Sequence, residues 1–204
     1  MIKDIEVVVF DLGRVLLNID PKRCYQAFID IGIPLHYETR LRALFFEYES
    51  GILSEEEVLQ RVEDETEIIF DPTSFWGCWE AMILEFIPEM IYRLEKLAQR
   101  YMCVLLSNTN RKHQYVFEKK FKQQYGKEMQ ELFDYVFYSH DVGFIKPSSD
   151  IYCYVEKRIA KPTSSFIFFD DLEENVRVAS ERGWNTFHVT SDLNRTLEYV
   201  DQLL

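Results

Sequence analysis

The sequence predicts an α/β fold: a doubly wound, Rossmann-like parallel sheet of five strands, interrupted by an inserted bundle of four helices. Three observations predict it. Five short β-rich runs of Val, Ile, Phe and Tyr recur, as strands buried in a parallel sheet do. Helical patterns separate these runs, the rhythm that parallel strands and their crossovers require. One interval, residues 19–86, holds helical patterns alone. The 204 residues suffice for one such domain and a small insert. Seven Gly and six Pro exclude a linker-like or disordered chain.

The elements follow in order. Glu6 to Phe10 (EVVVF) reads as the first, buried strand. Pro21 to Ile31 opens the insert as a helix stopped by Gly32. Glu38 to Tyr48 sets Leu41, Leu44, Phe45 and Tyr48 on one helical face. Ser54 and Glu57 form a capping box ahead of Val58, Leu59 and Val62. Thr73 or Ser74 is expected to cap a fourth helix carrying Trp76, Trp79, Met82 and Ile83, and no strand is expected in this stretch. Pro88-Glu89 then begins a helix with Ile91, Leu94, Leu97 and Ala98 at helical spacing. The remaining strands are Met102 to Leu106, Tyr135 to Tyr138, Phe166 to Phe169 and Thr186 to Val189. Helical stripes at Ile151, Tyr152, Val155 and Ile159, and at Val176, Ala179 and Ser180, fill the last two intervals. The core is therefore assigned to residues 1–18 and 87–204, and the helical insert to 19–86.

Composition narrows the partners. Twenty-three Lys and Arg against 35 Asp and Glu give a net charge of −12, which repels nucleic acid and anionic lipid. The densest basic stretch, Lys119-Lys120-Phe121-Lys122, follows Glu118 in a mixed-charge helix and reads as solvated surface. No apolar run approaches the ~20 residues that span a bilayer. The first residues, Met1 to Glu6, carry two acids and do not resemble a targeting signal. Cys24, Cys78, Cys103 and Cys153 form no C-x-x-C pair, so reduced thiols in a cytoplasmic protein are expected.

In open α/β sheets, ligands bind beyond the carboxyl ends of the strands. Those ends carry Asp11, then Ser107-Asn108-Thr109-Asn110, then Asp170-Asp171, with Lys146-Pro147 on the loop after the third strand. Carboxylates gathered in one crevice repel each other unless a cation lies among them, and oxygen ligands favour a hard ion such as Mg²⁺. A lysine and a hydroxyl facing that ion complete a cage for phosphate.

Four blocks, V-V-F-D-L-G-R-V-L from Val8, L-L-S-N-T-N, K-P-S-S-D-I-Y and F-F-D-D-L-E-E-N, stand in the order of the four motifs of the haloacid dehalogenase-like hydrolases. The chain resembles that superfamily, and within it the bacterial α-D-glucose-1-phosphate phosphatases, with the insert matching the cap domain. The resemblance implies an Mg²⁺-dependent phosphatase acting on a small phosphomonoester through an aspartyl-phosphate. Asp11 is implied as nucleophile, and Asp11, the Gly13 carbonyl, Asp170 and Asp171 as the metal site. Ser107, the Asn108 amide and Lys146 are implied as phosphate-binding groups, with Lys146 also paired to Asp11 and Asn175 orienting the aspartate loop.

The chain departs from the family pattern at one position. Most phosphatases of the superfamily carry a second Asp two residues after the nucleophile as general acid and base, a role worth ~10²–10⁴ in rate. Gly13 stands there. Three consequences are open: a stand-in donor (Asp20, His113 or Glu49), a substrate such as an anomeric sugar phosphate whose leaving group needs little protonation, or weak catalysis. The Glu49-Ser50-Gly51 turn reads as a specificity loop, Gly51 allowing close approach over the cleft. Trp76 and Trp79 read as packing of the insert, His188 as a core residue, and His36 and His140 as loop polar groups. Two other activities compete: a metal-independent dehalogenase, against which the paired aspartates argue, and a phosphate-binding regulator without turnover.

Overall fold

The computed structural model describes residues 4–204. Strand β1 (Val7–Phe10) leads to a short strand β2 (Leu17–Ile19), then helices α1 (Pro21–Asp30), α2 (Glu38–Glu49), α3 (Glu55–Thr66) and α4 (Pro72–Glu80), and strand β3 (Ile83–Phe86). Next come α5 (Pro88–Leu97), β4 (Met102–Ser107), α6 (Arg111–Tyr125), β5 (Tyr135–Tyr138) and the one-turn helix α7 (Ser139–Val142). The last stretch holds α8 (Ser149–Ile159), β6 (Phe166–Asp170), α9 (Glu173–Glu181), β7 (Asn185–His188) and α10 (Leu193–Asp201).

The main sheet has the order β5-β4-β1-β6-β7 with every pairing parallel. Central β1 is covered on both faces, and its four residues are fully buried. Val8 and Phe10 join Leu105, Ile167 and Phe169 on the face covered by α5, α6 and α10. Val7 and Val9 join Val104, Leu106, Phe166 and Phe168 against α8 and α9. Each fully buried apolar side chain contributes ~1.5–3 kcal/mol relative to exposure. Burial on both faces explains why these runs are apolar without alternation. The chain leaves β1 for β4 and β5 on one side and returns to β6 and β7 on the other, so the strand order reverses at β1. That reversal opens a crevice at the carboxyl end of β1.

The insert has its own core of Phe28, Phe45, Phe75, Trp76 and Trp79. Its α3 begins with the expected capping box between Ser54 and Glu57. Two expectations are corrected. Asp71, not Thr73 or Ser74, caps α4, because Pro72 takes the first helical position and Asp71 accepts from the Ser74 N–H. That helix stops at Glu80, and Ile83–Phe86 pairs antiparallel with Leu17–Ile19, so Met82 and Ile83 are not helical. The two strands form the root by which the chain enters and leaves the helical insert. No helix among the described residues is long and apolar enough to cross a membrane.

The insert sits directly on the core. Trp79 stacks on Phe45 within the insert, with ring centroids 3.6 Å apart, and on His113 of α6, at 4.6 Å. His113 Nε2 donates to the Trp79 carbonyl at 3.0 Å, and its Nδ1 accepts from the Asn110 amide at 3.3 Å. The buried Ser139 hydroxyl donates to the Glu49 carbonyl at 2.7 Å. Gly51 follows at φ +71°, and a Cβ there would lie 2.8 Å from the His140 carbonyl oxygen. Gly51→Ala is expected to cost ~1–3 kcal/mol in urea unfolding, through the left-handed backbone and that main-chain clash. Burial lowers the His113 pKa to about 4, so the imidazole stays neutral in the fold. A histidine with a depressed folded pKa contributes stability present above its unfolded pKa and lost as pH falls towards the folded one. The stability advantage of the wild type over His113→Gln should therefore shrink by about 3 kcal/mol between pH 7 and pH 4 in urea titrations.

Candidate active site

The crevice at β1 is built by register. Phe10 pairs with Phe169, so Asp11 and Asp170 leave adjacent strands at the same level. On the other side Phe10 pairs with Leu105, which puts Ser107 at the rim of β4. Lys146 arrives on the loop between α7 and α8 and places its Nζ 2.7 Å from Asp11 Oδ1 and 2.7 Å from Asp170 Oδ2. All three side chains are nearly sealed from solvent: Lys146 is 1%, Asp11 11% and Asp170 0% exposed. Asn108 fixes the lysine from behind, its amide donating to the Lys146 carbonyl at 2.8 Å and accepting from the Lys146 N–H at 2.9 Å.

Asp170 spends both carboxylate oxygens on the protein. Oδ1 accepts from the Leu172 N–H (2.8 Å) and the Asn175 amide (2.9 Å), and Oδ2 from the Asn175 amide (3.1 Å) as well as from Lys146. Asn175 is held in turn through its carbonyl by the buried Tyr152 hydroxyl at 3.0 Å. Asp171 turns outward instead and accepts from the half-exposed Arg14 at 3.3 Å. It forms part of the wall of a cavity of about 760 Å³ shared with Arg14, Asn18, Glu89, His188 and Thr190.

The electrostatics follow from this enclosure. Burial pushes the Asp11 carboxyl up to about 7, opposed by Lys146 and reinforced by Asp170 and Asp171. Burial works against the Lys146 charge, yet Asp11 and Asp170 hold its pKa above the ordinary lysine range. Asp171 is raised by burial and by Asp170, with Arg14 opposing. Three carboxylates thus face one sealed ammonium and one half-exposed guanidinium, a deficit of positive charge that a bound cation would correct. Asn175 Oδ1 is also buried without a donor, as an acceptor awaiting a hydrated ion would be. Among the described residues no three Cys, His, Asp or Glu side chains stand close enough to chelate an ion alone. The donor set fits a hard cation only with a main-chain oxygen included.

The structure thus brings Asp11, Lys146 and Asp170 into contact, with Asn108 behind the lysine and Asp171 one residue further along. Ser107 is buried at the rim, its hydroxyl 3.5 Å from the Asn108 carbonyl. Gly13 lies in the turn after β1 and bridges to Leu17. Two groups had no sequence signal: Arg14, partner of Asp171, and Ser139, which joins the Thr109 N–H (2.9 Å) to the insert. His188 and His140 are corrected. His188 is half-buried with Nε2 bonded to the Asp171 carbonyl at 3.0 Å, and His140 is held between the Thr109 carbonyl and Gln114.

The family described as haloacid dehalogenase-like hydrolase matches residues 5–183. The chain belongs to the haloacid dehalogenase-like hydrolases. It is 30% identical over 193 residues to D-ribitol-5-phosphate phosphatase of Bacteroides thetaiotaomicron, covering 90% of this chain and 91% of that protein. A haloacid dehalogenase family enzyme from the same organism, solved with magnesium and inorganic phosphate, superposes with TM-score 0.86 at 25% identity, over 92% of this chain and 96% of that one. A related hydrolase from Porphyromonas gingivalis gives TM-score 0.88 at 25% identity over 98% of both chains. The fold and the enzyme class read from this haloacid dehalogenase-like sequence therefore stand.

Removing one partner from a buried ion cluster leaves an uncompensated charge, at a cost of about 3–5 kcal/mol. Lys146→Met should lose stability of that size in urea unfolding at pH 8. Adding Asp170→Asn should recover part of the loss, which a double-mutant cycle would measure.

Proposed function

We propose that the protein is a Mg²⁺-dependent phosphatase acting on a small phosphorylated alditol or sugar, with Asp11 as nucleophile. The observation that carries this reading is the Lys146 clamp, which holds one oxygen of Asp11 and leaves the other for attack. The relative that acts on ribitol 5-phosphate and the neighbour solved with magnesium and phosphate support the substrate class and the ion.

The residues present suggest how the work is divided. Asp11 Oδ2 forms a bond to phosphorus as the ester P–O bond breaks, giving an aspartyl-phosphate that water hydrolyses. Lys146 fixes the rotamer of Asp11, favours its ionised form and lends positive charge to the transferring phosphoryl group. Ser107 offers its hydroxyl to a phosphoryl oxygen. The Asn108 side chain is committed to Lys146, so its phosphate-binding role falls to the main-chain N–H. Asp11, the Gly13 carbonyl and Asp171 would hold Mg²⁺, which supplies charge neutralisation between the carboxylate and the phosphate dianion. Asp170, read from the sequence as a ligand, acts as the carboxylate that orients Lys146 and Asn175. The seated insert keeps bulk water from this centre and selects the organic part of the substrate.

Phosphate release from a panel including ribitol 5-phosphate, hexose 1-phosphates and hexose 6-phosphates tests the proposal. With Mg²⁺, turnover is expected on at least one member; chelation should abolish it and added Mg²⁺ restore it. Asp11→Asn should lower kcat by about 10³-fold or more, the scale seen when a covalent nucleophile is removed. Turnover indifferent to chelator, or release of halide from a 2-haloacid, would exclude the phosphatase reading in favour of the dehalogenase one.

A further inference from the structure

Three carboxylates stand at the crevice, and two of them are held by a buried ammonium: Asp11 and Asp170 both bond Lys146 at 2.7 Å. Asp171 is the exception. Its partner is Arg14, a half-exposed guanidinium that reaches one oxygen, Oδ2, through one nitrogen at 3.3 Å. A single, long, solvated contact of this kind holds weakly and exchanges readily. The main chain beneath it is fixed independently. Nε2 of His188 donates to the Asp171 carbonyl at 3.0 Å, and the Val189 N–H to the Asp170 carbonyl at 2.9 Å. Only the Asp171 side chain is free to change partner.

The backbone specifies where Arg14 stands. Its N–H donates to the Leu17 carbonyl at 2.6 Å, and its φ is +58°, the left-handed region that favours glycine or asparagine. A long cationic side chain is thus kept where its backbone is strained, as happens at functional positions. The Gly13 carbonyl, the main-chain oxygen of the proposed metal site, belongs to the peptide bond into Arg14. A cation spanning that carbonyl and Asp171 would bridge the two ends of the Arg14–Asp171 link. At such range the two positive charges repel, and both cannot hold one carboxylate at full strength.

The cavity of about 760 Å³ that Arg14 and Asp171 share completes the arrangement. Its other lining residues lie between positions 15 and 18, 87 and 89, and 188 and 196, all outside the helical insert. A small ion therefore reaches the outer face of Asp171 without passing the insert, and the guanidinium has open space to turn into.

We propose that Arg14 is a built-in counter-ion that competes with Mg²⁺ for Asp171 and so sets the free Mg²⁺ level at which the enzyme becomes competent; this rests on the phosphatase reading above. Arg14 neutralises Asp171 until the ion arrives through the cavity, then gives up the carboxylate and turns into that space.

The experiment measures Mn²⁺ binding through the EPR signal of the free ion, with Mg²⁺ as competitor. It compares wild type, Arg14→Met, Arg14→Gly, Arg14→Lys and Asp171→Asn. Arg14→Met removes the charge at similar length, and Arg14→Gly removes it with a residue suited to the left-handed backbone, so one serves if the other folds poorly. The neutral variants should bind Mn²⁺ about 10-fold more tightly, whereas Arg14→Lys should stay within about 3-fold of wild type. The Mg²⁺ concentration for half-maximal phosphate release should fall in step. The gain should shrink as KCl rises from about 0.05 to about 0.5 M, because a solvated guanidinium is screened. Unchanged or weaker binding by the folded neutral variants, or a gain that is indifferent to salt or shared by Arg14→Lys, would overturn the role of Arg14 alone. A wild type that binds no Mn²⁺, or an Asp171→Asn variant that binds it as tightly as wild type, would overturn the metal site of the phosphatase reading and this role with it.

Discussion

One ammonium group organises the functional end of this molecule. Lys146 sits between two carboxylates on neighbouring strands, and none of the three can leave without stranding a charge in a sealed space. At an effective dielectric constant near 20 each close pair is worth about 4 kcal/mol before desolvation, and desolvation consumes most of that. The cluster is therefore a weak source of net stability. What it fixes is geometry: β1 and β6 in register, the Lys146 loop folded back through Asn108, and α9 docked through Asn175 and Tyr152. These contacts converge on a carboxylate with one oxygen held and the other available.

The second constraint is the seam between the helical insert and the core. It is made of close, directional contacts: the Phe45–Trp79–His113 stack, the Ser139 bond to Glu49, and the bare backbone of Gly51 against His140. Together they seat the insert against the core as one packed surface. Such close seating suits an element that excludes water during chemistry. The paired strands β2 and β3 give it a rooted attachment rather than two loose linkers.

The parts legible in the sequence were those specified locally. Doubly buried strands announce themselves as unbroken apolar runs, and a helix start such as Ser54–Glu57 carries its own cap. Most residues of the proposed site stand at or just beyond the end of a strand, which is why the sequence singles them out, whereas Lys146 stands on the loop between α7 and α8. The parts that were not legible depend on distant partners. Ile83–Phe86 is a strand only because Leu17–Ile19 lies beside it, and on its own it continues the apolar pattern of the Trp79 helix. Arg14 and Ser139 look like ordinary loop residues until Asp171 and the Glu49 carbonyl are brought to them across the fold. His188 alternates like a core residue, yet the end of β7 turns it to the Asp171 carbonyl.

Gly13 joins the two constraints. A side chain at this position would point at Ile19, whose terminal carbon lies 3.0 Å from the place its Cβ would occupy. The space that a side chain at position 13 would enter is thus occupied by an apolar group from β2, at the root of the insert. Replacing a polar group by a methyl dries the crevice and raises the cost of every uncompensated charge inside it. A proton donor fixed to the core would have to compete with that apolar filling and with three carboxylates already crowded around one lysine. The charge crowding that makes Lys146 indispensable therefore also limits what position 13 can carry.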